Sequence, residues 1–518
     1  MTMLNSRPMT SSASERYGGA LVHDILDGAS DQWPESTAVR HDAITRTFAE
    51  LRADSIRIAG QLRLAGVRRG DRVIIAEPTS VAVPAVVFAC SRLGAVFVFT
   101  PGDAPLPVIR HILTDSQATV VVTSSHTVAE CAALLEVTSV SIDDLIPELV
   151  DMDNHDADLR DTRPIAVDPV CFIYTSGTTA LPKAVVSTHQ QVVFAATAIQ
   201  SRLGYRSDDV VFCALPLSFD YGMYQILLTG LAGATLHLGG IADAGHRLVA
   251  NLQAGPATVL VAVPSLATML NRLLDHRPTR LDSLRLLTNT GAAMPPEALL
   301  GLRTKLPSLR VQLMYGLTEC KRGAIMPPDG DLERPGSCGI ALPGTRIFAA
   351  DEHGHPLPPG EVGELVVQGP NVMSGYWRQP ALTAERFPRA GGLFPQLRTG
   401  DYGYLDGDGY IYFAGRRDDI YKQNGTRVST VEIEAAAHRV TGVRAAAVVL
   451  PTGADAGAVL VVQGDVEPAE VLAGLRARME LAKQPELCLV VESLPLTSNG
   501  KVDRRRLTDL IRTSSNVR

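Results

Sequence analysis

The sequence predicts an α/β protein with a large N-terminal domain of parallel α/β subdomains plus a small β-rich subdomain, followed by a small α+β C-terminal domain. Three observations carry this. From Leu21 to Leu306, short apolar runs rich in β-branched residues alternate with segments of helical spacing, as parallel sheets require. From about Gly336 the texture turns to short strands and Gly/Pro turns. After GRRDDIYKQNG (Gly415 to Gly425) it turns again, to a compact mixture of helix and strand behind a charged linker. The expected boundaries are a disordered tail over 1–19, a large domain over 20–417 and a small domain over 418–518.

The elements follow in order. RVIIAEP (Arg72 to Pro78) predicts a strand, Val81 to Leu93 a helix, and AVFVFT (Ala95 to Thr100) and ATVVVTS (Ala118 to Ser124) two more strands. The apolar stretch Val73 to Thr100 is broken by Glu77, Pro78, Pro84 and Arg92, so it reads as strand, helix, strand and not as a membrane span. An acidic stretch without clear period, SIDDLIPELVDMDNHDADLRDTRPIAVD, connects to a strand at VDPVCFI (Val167 to Ile173). Helical spacing returns over His189 to Gly204, and Asp208 to Asp220 predicts a strand running into a loop. Ala257 to Leu274 and Leu284 to Leu306 each repeat strand, turn, helix, the second helix starting at Pro295 and Pro296. GTRIFAAD, EVGELVVQG and GYIYFAG are the strands of the β-rich part. The C-terminal part holds helices over Val431 to Arg439 and Pro468 to Met479, with strands AAAVVLP and GAVLVVQG.

Composition bounds the function. With 46% hydrophobic and 20% charged residues over 518 positions, the chain is globular and has more than one domain. A formal net charge of −7 argues against a general nucleic-acid or anionic-membrane binder. The seven cysteines form no CxxC pair and no Cys/His cluster, which fits reduced thiols in a cytoplasmic setting. The polar N-terminal residues have no apolar secretory core.

The chemistry centres on YTSGTTALPKAV, Tyr174 to Val185. Thr175, Ser176, Gly177, Thr178 and Thr179 crowd hydroxyls around a glycine, which suits a loop turning O–H and N–H donors toward an anion, with Lys183 adding a compact positive charge. It is not a Walker loop, because Pro182 precedes the lysine and Ala184 follows it. A plain surface turn is the alternative. The stretch resembles the phosphate loop of the adenylate-forming superfamily: acyl-CoA synthetases, aryl acid ligases, luciferases and the adenylation domains of nonribosomal peptide synthetases. Ala180 stands where that family usually has glycine, and Ala184 where it often has one; the added methyls narrow the loop's backbone freedom.

Further segments fall in the family's order, and the resemblance covers nearly all of the chain past the first twenty residues. By resemblance, Tyr315 of MYGLTE lines the adenine, Thr318 contacts phosphate and Glu319 holds Mg2+. TNTGAAMP offers Gly291, Ala292 and Ala293 as a surface without bulk for a flat base or acyl group; a tight turn is the other reading. Asp401 of the TGD triplet matches the carboxylate that accepts from both ribose hydroxyls, a pairing with a sound basis since two O–H donors suit two acceptor oxygens. Arg416 matches an arginine near ribose and phosphate, and Asp418 the hinge about which a mobile small domain swings. DGDG is otherwise an ordinary turn that lacks the closing Glu of a calcium loop. Lys501, in LTSNGKVDRRRL, matches the catalytic lysine.

The resemblance implies an enzyme that uses ATP and Mg2+ to turn a carboxylic acid into acyl-AMP with release of pyrophosphate. It then passes the acyl group to a thiol, either CoA or carrier-protein phosphopantetheine. A non-thiol acceptor, a luciferase and a non-catalytic nucleotide-binding paralogue are the alternatives, and a monomer or homodimer is expected. For the acid, Asp220, Tyr221, Tyr224, Thr288 and Thr290 make a moderately polar pocket. Asp220 matches the position where amino-acid-activating relatives pair the substrate ammonium; the alternative is a cap on the helix that follows. Lys321 and Arg322 meet an anionic substituent or, the simpler expectation, face water.

Overall fold

The computed structural model describes residues 21–77, 79–100, 104–145, 163–175, 182–390, 394–416, 420–423, 426–450, 458–479, 483–485, 487–497 and 502–515. Two large sheets dominate. One has seven strands in the spatial order Gly375–Tyr376, Lys183–Thr188, Pro169–Thr175, Val96–Phe99, Arg72–Ile75, Ala118–Val122, Thr138–Val140. The other has nine, in which Arg310–Tyr315, Leu286–Asn289, Val259–Ala262, Val210–Cys213, Thr235–Leu238 and Thr37–His41 run parallel.

The predicted strand–helix–strand over Val73 to Thr100 is present as Arg72–Ile75, Ala82–Leu93 and Val96–Phe99. All twelve residues of Ala82–Leu93 and all thirteen of Asp220–Ala232 are buried. A helix buried on every side needs apolar cover all round. These two obtain it in a helical layer with Val22–Gln32 and His189–Leu203, between the two sheets: Ala82–Leu93 and His189–Leu203 pack on the seven-stranded sheet, Asp220–Ala232 on the nine-stranded one. Among the described residues no helix is long and apolar enough to cross a membrane. The period-two rule of a strand divides the sheet's side chains. Val73, Ile75, Phe97, Phe99, Val120 and Val122 face the layer between the sheets, while Ile74, Val96, Val98 and Val121 face the helices Leu106–Ser116 and His126–Ala133.

The sequence reading missed one feature at the centre of the site. Lys183–Thr188 is a strand, antiparallel to Pro169–Thr175, and Thr188 ends it by capping the next helix with Gln191 in a reciprocal pair. The β-rich part is a five-stranded antiparallel sheet built on Gly363–Gln368 and Phe394–Leu405. The C-terminal part is a three-stranded sheet, Val443–Val449, Val459–Gly464 and Leu487–Val491, with its own apolar core. The expected α/β architecture, a large N-terminal domain and a smaller C-terminal one, is the one observed. All seven cysteines are free, and all but Cys338 are buried. The expected tail over 1–19 lies outside the described residues.

Candidate active site

Parallel strands place their carboxyl ends along one edge, and ligands of open α/β sheets bind beyond that edge. Asp220 follows Val210–Cys213, Thr290 to Ala293 follow Leu286–Asn289, and Thr318 and Glu319 follow Arg310–Tyr315. Three sequence-distant segments therefore converge at one end of the nine-stranded sheet. The antiparallel pair of strands adds a fourth, setting Thr175 opposite Lys183. Ser176, Gly177, Thr178 and Thr179 lie outside the described residues, as do Asp418 and Lys501.

On the nucleotide side, the Tyr315 hydroxyl donates to Asp401 Oδ2 at 2.8 Å and Arg416 Nε donates to Oδ1 at 3.1 Å. A carboxylate has about four lone-pair positions, so Asp401 keeps acceptor capacity for a diol. Burial pushes its carboxyl above the ordinary aspartate range, against the pull of Arg416 and the Tyr315 hydroxyl. Glu319 is buried, and its Oε1 accepts from the Tyr376 hydroxyl at 2.6 Å. The ammonium of Lys183 stands 4.1 Å from the centroid of the same Tyr376 ring. Burial holds Lys183 below the usual lysine range, with Glu319 opposing the shift. Among the described residues neither Lys183 nor Glu319 is in an ion pair. A buried carboxylate with oxygen lone pairs to spare, beside a cation suited to phosphate, is a donor set that fits Mg2+ with a triphosphate. The hydroxyl of Thr175 is buried and has no hydrogen-bond partner among the described residues, another group free for a ligand. Tyr376 was not legible in the sequence: it enters through the two-residue strand Gly375–Tyr376, paired with Val186 and Val185 next to Lys183.

On the acid side, Tyr221 and Thr288 hydroxyls share a hydrogen bond at 2.7 Å, and Thr288 and Thr290 are buried. Asp220 is buried and is not the helix cap that the alternative reading made it. Phe219 takes the cap position and no side chain caps it, so Asp220 is the first residue of the helix itself. The expectation that Lys321 and Arg322 face water is wrong. Lys321 is 0% exposed and Arg322 4%. Arg322 Nη1 lies 3.6 Å from Asp220 Oδ2, and its guanidinium covers the Tyr221 ring at 4.8 Å. Lys321 Nζ lies 5.9 Å from the centroid of the Tyr224 ring and has no hydrogen-bond partner among the described residues; nor has the Tyr224 hydroxyl. Burial depresses the Lys321 ammonium, with Asp220 and Glu319 among the charges that oppose this. Lys321 adopts φ +61°, a left-handed conformation that costs an L-residue about 1–2 kcal/mol. The turn is held by close backbone contact at Gly316, where a Cβ would lie 2.3 Å from the Lys321 carbonyl oxygen. Asn371 Nδ2 completes it by donating to the carbonyls of Cys320 and Arg322.

Thr318 is half-buried in the turn before Glu319. Gly291, at φ +92°, makes the bend after its strand, and Ala292 and Ala293 are exposed just beyond it.

The family model of AMP-binding enzymes matches residues 26–377. A feruloyl-CoA synthase of Amycolatopsis sp is 35% identical over 486 residues, covering 90% of this chain and 94% of that protein. The solved complex of VinN with L-aspartate is 39% identical, with a TM-score of 0.68, covering 77% of this chain and 99% of that one. The O-succinylbenzoate coenzyme A synthetase MenE of Bacillus subtilis, in complex with ATP and magnesium, is 26% identical with a TM-score of 0.81, covering 94% of this chain and 99% of that one.

Proposed function

The chain belongs to the AMP-binding enzyme family, and from that premise we propose an AMP-forming acid–thiol ligase whose acid carries an ammonium group and a second carboxylate. ATP is the cosubstrate. Lys183, with Thr175 and Ser176 to Thr179, cradles the triphosphate. Tyr315 and Gly291 to Ala293 flank the adenine, Asp401 accepts from the ribose hydroxyls and Arg416 supports it. Glu319 would hold Mg2+, with Thr318 toward phosphate. When bound, the metal neutralises charge that gathers on the departing phosphates. A carboxylate oxygen of the acid forms a bond to the α-phosphorus, and the bond from that phosphorus to the bridging oxygen breaks, releasing pyrophosphate. Lys501, assigned by resemblance, steadies the attacking oxygen. A thiol sulfur of CoA or a carrier-protein phosphopantetheine then attacks the acyl carbon. AMP leaves with the electron pair and the thiol proton passes to solvent. In this reading residues 20–417 form the adenylation domain, 418–518 the lid, and Asp418 the hinge between the two half-reactions.

The choice of acid rests on one observation, the buried Lys321 ammonium without a hydrogen-bond partner. A buried charge is costly unless paired. Asp220 is close to Arg322, whereas Lys321 Nζ has no hydrogen-bond partner among the described residues, so Lys321 is the cation left for a ligand. An amino dicarboxylic acid answers this distribution. Its ammonium meets Asp220, its free carboxylate meets Lys321 and Arg322, and its other carboxylate faces the α-phosphorus. The likeness to VinN in complex with L-aspartate supports the same class. The second reading, an aryl monocarboxylic acid, is favoured by the likeness to a feruloyl-CoA synthase, but it leaves Lys321 unmatched. ATP–pyrophosphate exchange over a panel of aspartate-like amino dicarboxylates, neutral amino acids and aryl acids separates the two. The proposal expects the amino dicarboxylates to lead; preferential exchange with cinnamate- or benzoate-type acids would contradict it.

A further inference from the structure

We infer that Tyr376 is a positioning residue of the adenylation site, keeping Lys183 and Glu319 apart and ready for their separate ligands. The inference rests on the reading of Glu319 as the metal carboxylate. Lys183 and Glu319 carry opposite charges close enough to feel one another. Left alone in a partly dehydrated site, such groups attract strongly and form an ion pair. That pair would occupy both the cation meant for phosphate and the carboxylate meant for Mg2+. The geometry offers each a different part of one side chain instead. The ammonium rests against the ring face at 4.1 Å, and the carboxylate takes the hydroxyl at the ring's edge at 2.6 Å. A ring face attracts a cation and a phenol O–H donates to a carboxylate, so a single tyrosine satisfies both without letting them meet.

Tyr376 is itself held firmly. Its backbone pairs with Val185 in the strand that begins at Lys183, its N–H donates to Thr383 Oγ1 at 3.0 Å, and its ring packs edge-on to Phe387 with centroids 5.4 Å apart. Pairing to the lysine's own strand fixes the height of the ring relative to Lys183. The carbonyl of Glu319 accepts from the Met373 N–H at 2.9 Å, three residues before Tyr376, which fixes the hydroxyl relative to the carboxylate. The segment Met373 to Tyr376 thus joins the phosphate lysine to the metal carboxylate by backbone as well as side chain.

The test measures Mn2+ binding by the loss of the free-ion paramagnetic resonance signal, with α,β-methylene-ATP present and no acid, so that no turnover contributes. Tyr376→Phe keeps the ring and removes the hydroxyl. It is expected to weaken Mn2+ about tenfold, while metal-free binding of the same nucleotide, followed by calorimetry in EDTA, stays within about twofold of wild type. Tyr376→Leu, which also removes the ring face, is expected to weaken both measurements. In a Glu319→Gln background Tyr376→Phe should have no further effect on Mn2+, since its action passes through the carboxylate. If Glu319→Gln weakens Mn2+ but Tyr376→Phe does not, or if their effects simply multiply, the positioning role is overturned. Failure of Tyr376→Phe to fold also overturns it, because a positioning role leaves the fold standing. If Glu319→Gln itself leaves Mn2+ binding unchanged, the metal reading of Glu319 falls, and this inference with it.

Discussion

At the scale of the residue, Lys321 decides most. Its burial and its left-handed φ are both unfavourable for a lysine. Residues that keep such costs cluster where a ligand later offsets them. Lys321→Met fills the same space without charge. It is expected to raise stability by about 1 kcal/mol or more in chemical denaturation, while raising the KM for an amino dicarboxylic acid at least about tenfold. Lower stability together with unchanged KM would remove Lys321 from the acid site. The pH response has a sign. Since burial lowers the Lys321 pKa, the ammonium is lost on raising pH before an exposed lysine would lose it, so acid binding should weaken on the alkaline side earlier than an ordinary lysine predicts. At this scale the sequence was informative where a motif carried the residue. Asp220, Tyr221, Tyr224, Thr288, Tyr315, Glu319 and Asp401 are all buried, with Tyr315 bonded to Asp401 and Tyr221 to Thr288. It failed for Lys321 and Arg322, because adjacent charges look solvated unless one knows that a turn folds both inward. It failed for Tyr376 because a two-residue strand has no periodicity to read.

At the scale of the element, the turn from Gly316 to Gly323 ties the two halves of the site together. It carries Glu319 on the nucleotide side and Lys321 and Arg322 on the acid side, and Asn371 holds its carbonyls. Gly316→Ala places a methyl 2.3 Å from the Lys321 carbonyl oxygen and 2.8 Å from Arg322 Cα, both backbone atoms that cannot swing aside. Overpacking of this kind costs about 1–3 kcal/mol. The expected outcome is joint damage: KM for ATP and KM for the acid rise together in pyrophosphate exchange. A rise in one alone would mean that the turn does not couple them. The helices and parallel strands were legible because long apolar runs with turn residues between them have few alternative foldings. The antiparallel strand Lys183–Thr188 was not, since its sequence, KAVVST, runs straight into a helix and is too short to show alternation.

At the scale of the whole molecule, the helical layer between the two sheets contributes a pH limit as well as a core. His23 and His189 are buried in that layer, and His237 is half-buried in the nine-stranded sheet. Burial lowers the pKa of His23 to about 3 and those of His189 and His237 to about 4. The His189 Nδ1 accepts from the Val22 N–H at 3.1 Å, so protonation there breaks the contact between two helices. The folded values lie below the unfolded value of 6.5, so the unfolded chain takes up protons first. Stability is whole above about pH 6.5 and falls as pH drops toward 4, by up to about 1.4 kcal/mol per pH unit for each of the buried His23 and His189 and by less for the half-buried, partly screened His237. Thermal melts from pH 7.5 to 4.5 should show this fall, and His189→Gln should reduce it; a flat profile would contradict it. The overall architecture was readable because strand and helix alternate through the large parallel part and the texture changes visibly after it. How the sheets sandwich the buried helices was not, because contacts between distant segments leave no local pattern. The central claim is that a carboxylate oxygen attacks the α-phosphorus of ATP. It is tested most directly by supplying an acid labelled with 18O in the reacting carboxyl group and completing one turnover with a thiol acceptor. The account predicts one 18O atom in the AMP and none in the pyrophosphate. Label in orthophosphate, with ADP as the other product, would contradict it.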